Sequence, residues 1–277
     1  MFEIPSLEMD ISFACNLRCA GCTHYSNYGI GGYVDFEKGH EWLSAWSQRI
    51  QPREFSLLGG EPMLNPRVSD YIRLVAELWP ASNRWFITNG FLLDRHHDLM
   101  RALAESNTQL VVSLHSNSPE YQSKVQSQLA RLARSSYADR VRAHVRNSVS
   151  FYRTYRGSRE EMRPFNDGNP RQSWHICHNR ACPTIHLGRL WKCPPIAFLG
   201  LVAGKFGLAE VEEWKPYLAY EGIAPEATDE ELGLFLRREE EDICRMCPSA
   251  LEFFETLPEQ SPVVRSYEEN HCLDSVG

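Results

Sequence analysis

Apolar and polar positions in the first half of the chain switch repeatedly between a period of two and a period near 3.6. LEMDISF (residues 7–13) alternates and then turns, which predicts a strand. FEKGHEWLSAWSQRI (residues 36–50) spaces Leu43, Trp46 and Ile50 by three and four, which predicts an amphipathic helix. EFSLLGG (54–60) reads as a strand running into a glycine turn, with a helix from about Pro66 to Leu78. RWFITNG (84–90) repeats the strand and turn, followed by a helix near Arg95 to Glu105. QLVVSLH (109–115) is a fourth strand, Pro119 to Arg134 a helix, and RVRAHV (140–145) a candidate fifth strand. Strand and helix in alternation imply βαβ units on a parallel sheet, open or closed into a barrel, so the fold class is α/β.

Each strand ends in a polar or glycine feature. Cysteines follow the first, Gly59, Gly60, Glu61 and Pro62 the second, and Thr88, Asn89 and Gly90 the third; Ser113 and His115 end the fourth. Parallel barrels carry their chemistry at the C-terminal ends of strands. Four successive strand ends therefore aim functional groups at one rim. A lone GG pair would need nothing beyond a tight turn.

Composition narrows this picture. A chain of 277 residues, 43% hydrophobic, supports one large domain, or one with a small second domain. The formal charge of −7 argues against a nucleic-acid partner held by global charge. The start, MFEIPSLEMD, has neither a basic segment nor an apolar run of the secretory kind. The longest apolar run, PPIAFLGLVAG (194–204), falls short of the roughly 20 residues a membrane helix needs. A cytoplasmic protein without a membrane partner is expected.

Nine cysteines are many for a reducing compartment, where metal binding or catalysis is a better account than disulfides. They fall in groups: Cys15, Cys19 and Cys22; Cys177, Cys182 and Cys193; Cys244 and Cys247; and Cys272. None lies from Thr23 to Ile176. The first group, spaced C-x3-C-x2-C, favours iron–sulfur ligation over zinc or a plain core role. Three thiolates on a [4Fe–4S] cluster leave one iron open, as a catalytic metal site requires.

C-x3-C-x2-C after a first strand, with GGEP after the second, resembles the radical S-adenosylmethionine (SAM) superfamily over about residues 7–146. The resemblance implies a partial TIM-like (β/α) barrel of five or six strands. Cys15, Cys19 and Cys22 would hold the cluster, and SAM would chelate its open iron. One-electron reduction would then give a 5′-deoxyadenosyl radical that takes a hydrogen atom from a substrate. The GGEP backbone and Glu61 would meet the SAM ammonium, Ser113 the ribose, with Asn89 in the same shell and Arg142 or Arg146 at the carboxylate. The family usually has an aromatic residue before the third cysteine; here it is Gly21. His24, Tyr25 or nearby backbone would then meet the adenine.

The second cysteine group sits around a candidate β-hairpin, Thr184 to Cys193, turning at Leu187-Gly188. With Cys244-x2-Cys247 it resembles the twitch extension of the superfamily, a half-sized relative of the SPASM domain, which implies one auxiliary [4Fe–4S] cluster. Two domains are expected: 1–171, the barrel core, and 172–277, a hairpin-plus-helix twitch module with the C-terminal tail. Spacing favours Cys177, Cys193, Cys244 and Cys247 as ligands. Cys182 is the substitute, because hairpin geometry places it almost opposite Cys193. Zinc is the alternative metal. A thiol outside the ligand set, Cys182 or Cys272, is a candidate hydrogen-atom donor; a frayed or buried cysteine is the plainer reading of Cys272.

From Arg131 to Arg163 there are nine arginines and three acids; from Glu210 to Asp242, twelve acids and three basic residues. Solvated faces account for both. Arg153, Arg156, Arg159 or Arg163 could also hold an anionic substrate. His175 and His178 flank Cys177. The expected activity is radical SAM dehydrogenation or epimerisation of a small organic, sugar-like or anionic substrate, fed by flavodoxin or ferredoxin. A ribosomal-peptide maturase is the second reading, and a non-catalytic iron–sulfur or zinc module the third.

Overall fold

The structure is a computed structural model that describes residues 1–256 and 259–260. Its centre is a seven-stranded sheet. Five parallel strands run β6 (Ala143–Asn147), β5 (Gln109–Leu114), β4 (Asn83–Thr88), β3 (Ile50–Leu58) and β1 (Phe2–Asp10) across it. The short β2 (Leu17–Arg18) pairs outside that sheet with β11 (Glu259–Gln260), and β7 (Ser150–Tyr152) with β10 (Phe253–Glu255). Helices α1 (Phe36–Ser47), α2 (Val68–Leu78), α3 (Leu99–Glu105) and α4 (Pro119–Leu132) make the crossovers. The expected α/β class with a mostly parallel sheet is what the chain forms.

Local chemistry sets the helix starts. Asp35 caps α1 by accepting from the amides of Glu37 and Lys38, and Ser118 caps α4 ahead of Pro119. Parallel partners share a face of the sheet, and one face is apolar. Leu7 pairs Phe55, Met9 pairs Leu57, and Leu57 pairs Phe86. All five are buried. Phe55 stacks on Trp79, at the end of α2, at 4.9 Å between ring centres. At about 1.5–3 kcal/mol per buried large side chain, this face supplies much of the stability. The opposite face carries Glu8, Asp10, Leu58, Ile87 and Ser113.

The hairpin is present where the sequence placed it. Strands β8 (Thr184–His186) and β9 (Arg189–Trp191) join through Leu187 (φ 50°) and Gly188 (φ 75°), the two positive φ values of a type I′ turn. It is not a free-standing module, because β8 pairs in parallel with β1 through Glu8↔Thr184 and Met9↔Ile185. Trp46 of α1 also donates from Nε1 to the Gly188 carbonyl at 2.9 Å. The central sheet thus runs across the boundary expected near residue 171. Helices α5 (Pro170–Ile176), α6 (Pro194–Ala197), α7 (Leu199–Phe206), α8 (Lys215–Leu218) and α9 (Asp229–Arg237) make up the second half of the chain, with α6 against the hairpin strands. Thr228 and Glu231 form a capping box that starts α9. No helix among the described residues is long and apolar enough to cross a membrane.

Candidate active site and a second cysteine cavity

The loops after β1, β3, β4 and β5 enclose one cavity of about 220 Å³. Cys15, Cys19, Cys22, His24, Gly59, Gly60, Asn89, Ser113 and His115 are among its walls. The rim read from the strand ends is therefore real. Gly59 and Gly60 are dictated by close approach. A Cβ on Gly59 would lie 2.4 Å from the Ser12 carbonyl, and one on Gly60 2.5 Å from the Ala14 carbonyl. That contact lets Gly60 and Glu61 donate their amides to Ser12 and Ala14, at 2.7 and 2.8 Å, which ties the glycine turn to the start of the cysteine loop.

The three thiols sit in a setting that asks for a metal. Burial pushes the Cys15, Cys19 and Cys22 thiols up, and at Cys15 and Cys19 the neighbouring cysteines push further. The protein alone therefore disfavours thiolates here, and bound cations would reverse that balance. Donors are already in place. The Leu17 amide reaches the Cys15 sulfur at 3.3 Å, and the amides of His24, Ser26 and Asn27 point at Cys22. The side-chain oxygens of Ser26 and Asn27 are buried without partners. These residues fit a cluster. Among the described residues, no three His, Cys, Asp or Glu side chains close on a single-ion position.

Several expected cofactor contacts sit elsewhere. Glu61 is fully buried and outside the cavity wall. Its carboxylate accepts from the Thr88 hydroxyl (2.7 Å), the Asn89 amide (2.9 Å) and the Met63 amide (3.0 Å). It staples the GGEP turn to the end of β4. Pro62 is buried beside it and starts a 3-10 turn. Tyr25, also fully buried, gives its hydroxyl to the Pro195 carbonyl at 2.9 Å and packs on Tyr155, away from the cavity. Arg146 lies exposed on β6 over the Trp85 ring. Arg142 is exposed just before β6. Asn89 does line the cavity, and its amide group donates to Asn16 at 2.7 Å. Ser113 and His24 also face it.

The departure at Gly21 has a structural counterpart. Gly21 takes a positive φ of 69°, and a Cβ there would lie 2.1 Å from the Phe254 ring. An aromatic side chain brought in by β10 fills the space that residue 21 leaves. Residue order alone gives no sign of this contact between positions so far apart.

The second cysteine set converges too. Cys177, Cys193, Cys244 and Cys247 line one cavity of about 30 Å³, with Trp174, Lys192 and Ile243 among its other walls. Cys182 is absent from that wall. Burial pushes its thiol up to about 12, and the first neighbour to add to this is Glu8, not Cys193. The β8–β9 ladder stops at Thr184↔Trp191, and the Cys182 side chain lies beside Glu8 of β1. Desolvation raises all four wall thiols, and at Cys193, Cys244 and Cys247 the other cysteines raise them further. The first cavity has open volume beside its cysteines; the second has almost none, as a site closed by four protein ligands would. Cys272 lies outside the described residues.

The arginines expected to hold an anion do not line the cysteine cavity. Arg156 donates to the carbonyls of Pro164 and Phe165, and Arg163 to those of Glu160 and Met162. Arg153 and Arg159 line a separate surface groove with Gly21. Thr23, Asn27, Ser148 and Phe151 are cavity residues that no motif marked.

The sequence profile described as the radical SAM superfamily matches residues 9–148. The chain belongs to that superfamily, whose members use a [4Fe–4S] cluster and SAM. Among curated relatives, the GTP 3′,8-cyclase of Microcystis aeruginosa (strain NIES-843 / IAM M-2473) is 31% identical over 130 residues, covering 45% of this chain and 39% of that one. The GTP 3′,8-cyclase of Trichormus variabilis is 31% identical over 102 residues, covering 34% and 30%. The matched segment thus spans about two fifths or less of those relatives. Among solved structures, BtrN in complex with AdoMet and 2-DOIA superposes with a TM-score of 0.46 at 14% identity, covering 90% of this chain and 98% of that one. SuiB of Streptococcus suis bound to S-adenosylmethionine gives 0.38 at 20% identity, covering 47% and 31%.

Proposed function

We propose that the chain is a radical SAM enzyme of a small organic substrate, with an auxiliary [4Fe–4S] cluster beside the barrel. Cys15, Cys19 and Cys22 hold the first cluster, and Cys177, Cys193, Cys244 and Cys247 the second. When bound, the first cluster and SAM supply a 5′-deoxyadenosyl radical that abstracts a hydrogen atom. The chain's own residues shape the space for this. Gly59 and Gly60 leave room against the cysteine loop. Asn89, Ser113 and His24 present polar groups to the cofactor. Phe254 offers an aromatic face next to Gly21. A ferredoxin or flavodoxin is the matching one-electron donor.

The single observation that carries this reading is the shared cavity of Cys15, Cys19 and Cys22 with the glycine turn and the polar ends of β4 and β5. The four-cysteine cavity supports dehydrogenation, because a second cluster beside the barrel can accept the electron of a substrate radical. Its test is an anaerobic assay of the reconstituted chain with SAM and dithionite. Formation of 5′-deoxyadenosine, lost in a Cys22→Ala variant, is expected. Absence of 5′-deoxyadenosine from iron-loaded wild type would overturn the reading.

A further inference from the structure

Behind the residues that line the cysteine cavity, the sheet is unexpectedly acidic. Glu8 and Asp10 stand two residues apart on β1, so both side chains point to the same face. It is the cavity face, since Asp10 pairs with Leu58, which lines the cavity. Glu8 is 8% exposed and Asp10 2%. Among the described residues, Glu8 Oε1 and both Asp10 carboxylate oxygens have no hydrogen-bond partner. His24 of the cavity wall pairs with them, its Nδ1 lying 3.3 Å from Asp10 Oδ2.

The unmet demand extends along a row of the sheet. Glu8 pairs with Thr184 on one side and Ser56 on the other, and Trp85 pairs with Ser56 in turn. Thr184 is fully buried with its hydroxyl unpartnered, and Trp85 Nε1 is buried without an acceptor. Three strands thus carry orphaned polar atoms on one face of the sheet. Burying a carboxylate without a partner costs several kcal/mol in general, so such groups persist where a ligand completes them.

We infer that Glu8 and Asp10 form the substrate-recognition floor of this site and bind a protonated amine. The inference rests on the radical SAM reading for the word substrate, and it replaces the anionic substrate expected from the arginine stretch. An ammonium has three donors and no acceptor, which matches a surface of orphaned acceptors. Thr184 and Trp85 would take the ligand's neighbouring hydroxyl or carbonyl groups. The amine belongs to a small molecule such as an amino sugar or to a lysine side chain.

The test is a thermal-shift titration of the full chain, at constant ionic strength set with sodium chloride. The probes are methylammonium, glucosamine, and Nα-acetyl-lysine amide; glucose and N-acetylglucosamine are the neutral controls. At tenfold excess over its dissociation constant, a bound amine raises the melting temperature by about 3 °C. Wild type responds to the amines and not to the controls. Glucosamine alone beyond methylammonium marks a small-molecule substrate, and the lysine amide alone a peptide one. Asp10→Asn with Glu8→Gln abolishes the response while folding at least as stably, because the variant no longer buries a charge. No amine response in wild type beyond sodium chloride, or a response that survives the double variant, overturns the inference. Binding is read without SAM cleavage, so failure here is separate from failure to form 5′-deoxyadenosine.

Discussion

The carboxylate of Glu61 accepts the backbone N–H of Asn89 at 2.9 Å, joining the turn after β3 to the end of β4 beneath the cysteine cavity. A residue the family motif suggests for the cofactor is here spent on holding two strand ends in register. Its Thr88, Asn89 and Met63 donors favour the ionised form, yet burial outweighs them and holds the group up at about 7.

That value sets a pH dependence. The folded pKa of Glu61 stands above its ordinary value of 4.5, so its contribution is fully present below about 4.5 and lost as pH rises through 7. Asp10, raised to about 6 by burial against the opposing pull of His24, acts in the same direction. Iron-free, reduced protein should unfold more easily at pH 8 than at pH 5.5, by about 2 kcal/mol from Glu61. Urea titrations at the two pH values measure this. Glu61→Gln should shrink the difference to the share left by Asp10; equal midpoints in wild type would contradict it.

The glycine turn should tolerate no side chain. Gly59→Ala sets a Cβ against the Ser12 backbone, which has no flexible end to move. The expected cost is about 2–4 kcal/mol, with at least tenfold weaker SAM binding. Gly31→Ala is the matched control, because its Cβ meets nothing within 4 Å. Equilibrium dialysis with labelled SAM would show the contrast.

Phe254 should behave as part of the cofactor site. Phe254→Ala should weaken SAM binding about three- to tenfold, the size of one aromatic contact. Gly21→Ala, which displaces the ring and strains a positive φ, should do the same and lower stability by about 1 kcal/mol. If neither change alters SAM affinity, the ring serves packing alone.

The two disputed cysteines should separate on iron content. Cys177→Ala should lose the second cluster's iron, whereas Cys182→Ala should keep it, since only Cys177 lines the four-cysteine cavity. Iron and sulfide assays on the two variants decide; loss in Cys182→Ala with retention in Cys177→Ala would reverse the assignment.

Much of this architecture was legible in the chain. Short apolar strands such as LEMDISF, EFSLLGG and QLVVSLH were legible, and the helices between them marked the sheet as parallel. Cys15, Cys19 and Cys22 were visible as spacing, and Leu187-Gly188 as a turn, since both are local. What stayed hidden depends on distant partners. Phe254 reaches Gly21 from another strand, Tyr25 is drawn into the core by the Pro195 carbonyl, and Arg156 spends its donors on nearby carbonyls. A signal for the acidic floor did exist: Glu8 and Asp10 alternate with Leu7, Met9 and Ile11 on a strand buried on both faces. Charge on the second face of such a strand needs a ligand or a partner.

The central claim is a catalytic cluster open to SAM and a second one closed by protein. The direct measurement is iron and sulfide content after anaerobic reconstitution, for wild type and a Cys15→Ala/Cys19→Ala/Cys22→Ala variant, with 5′-deoxyadenosine assayed in both. The account predicts about eight irons in wild type, about four in the variant, and 5′-deoxyadenosine from wild type alone. About four irons in wild type and none in the variant, with zinc in the second cavity, would contradict it.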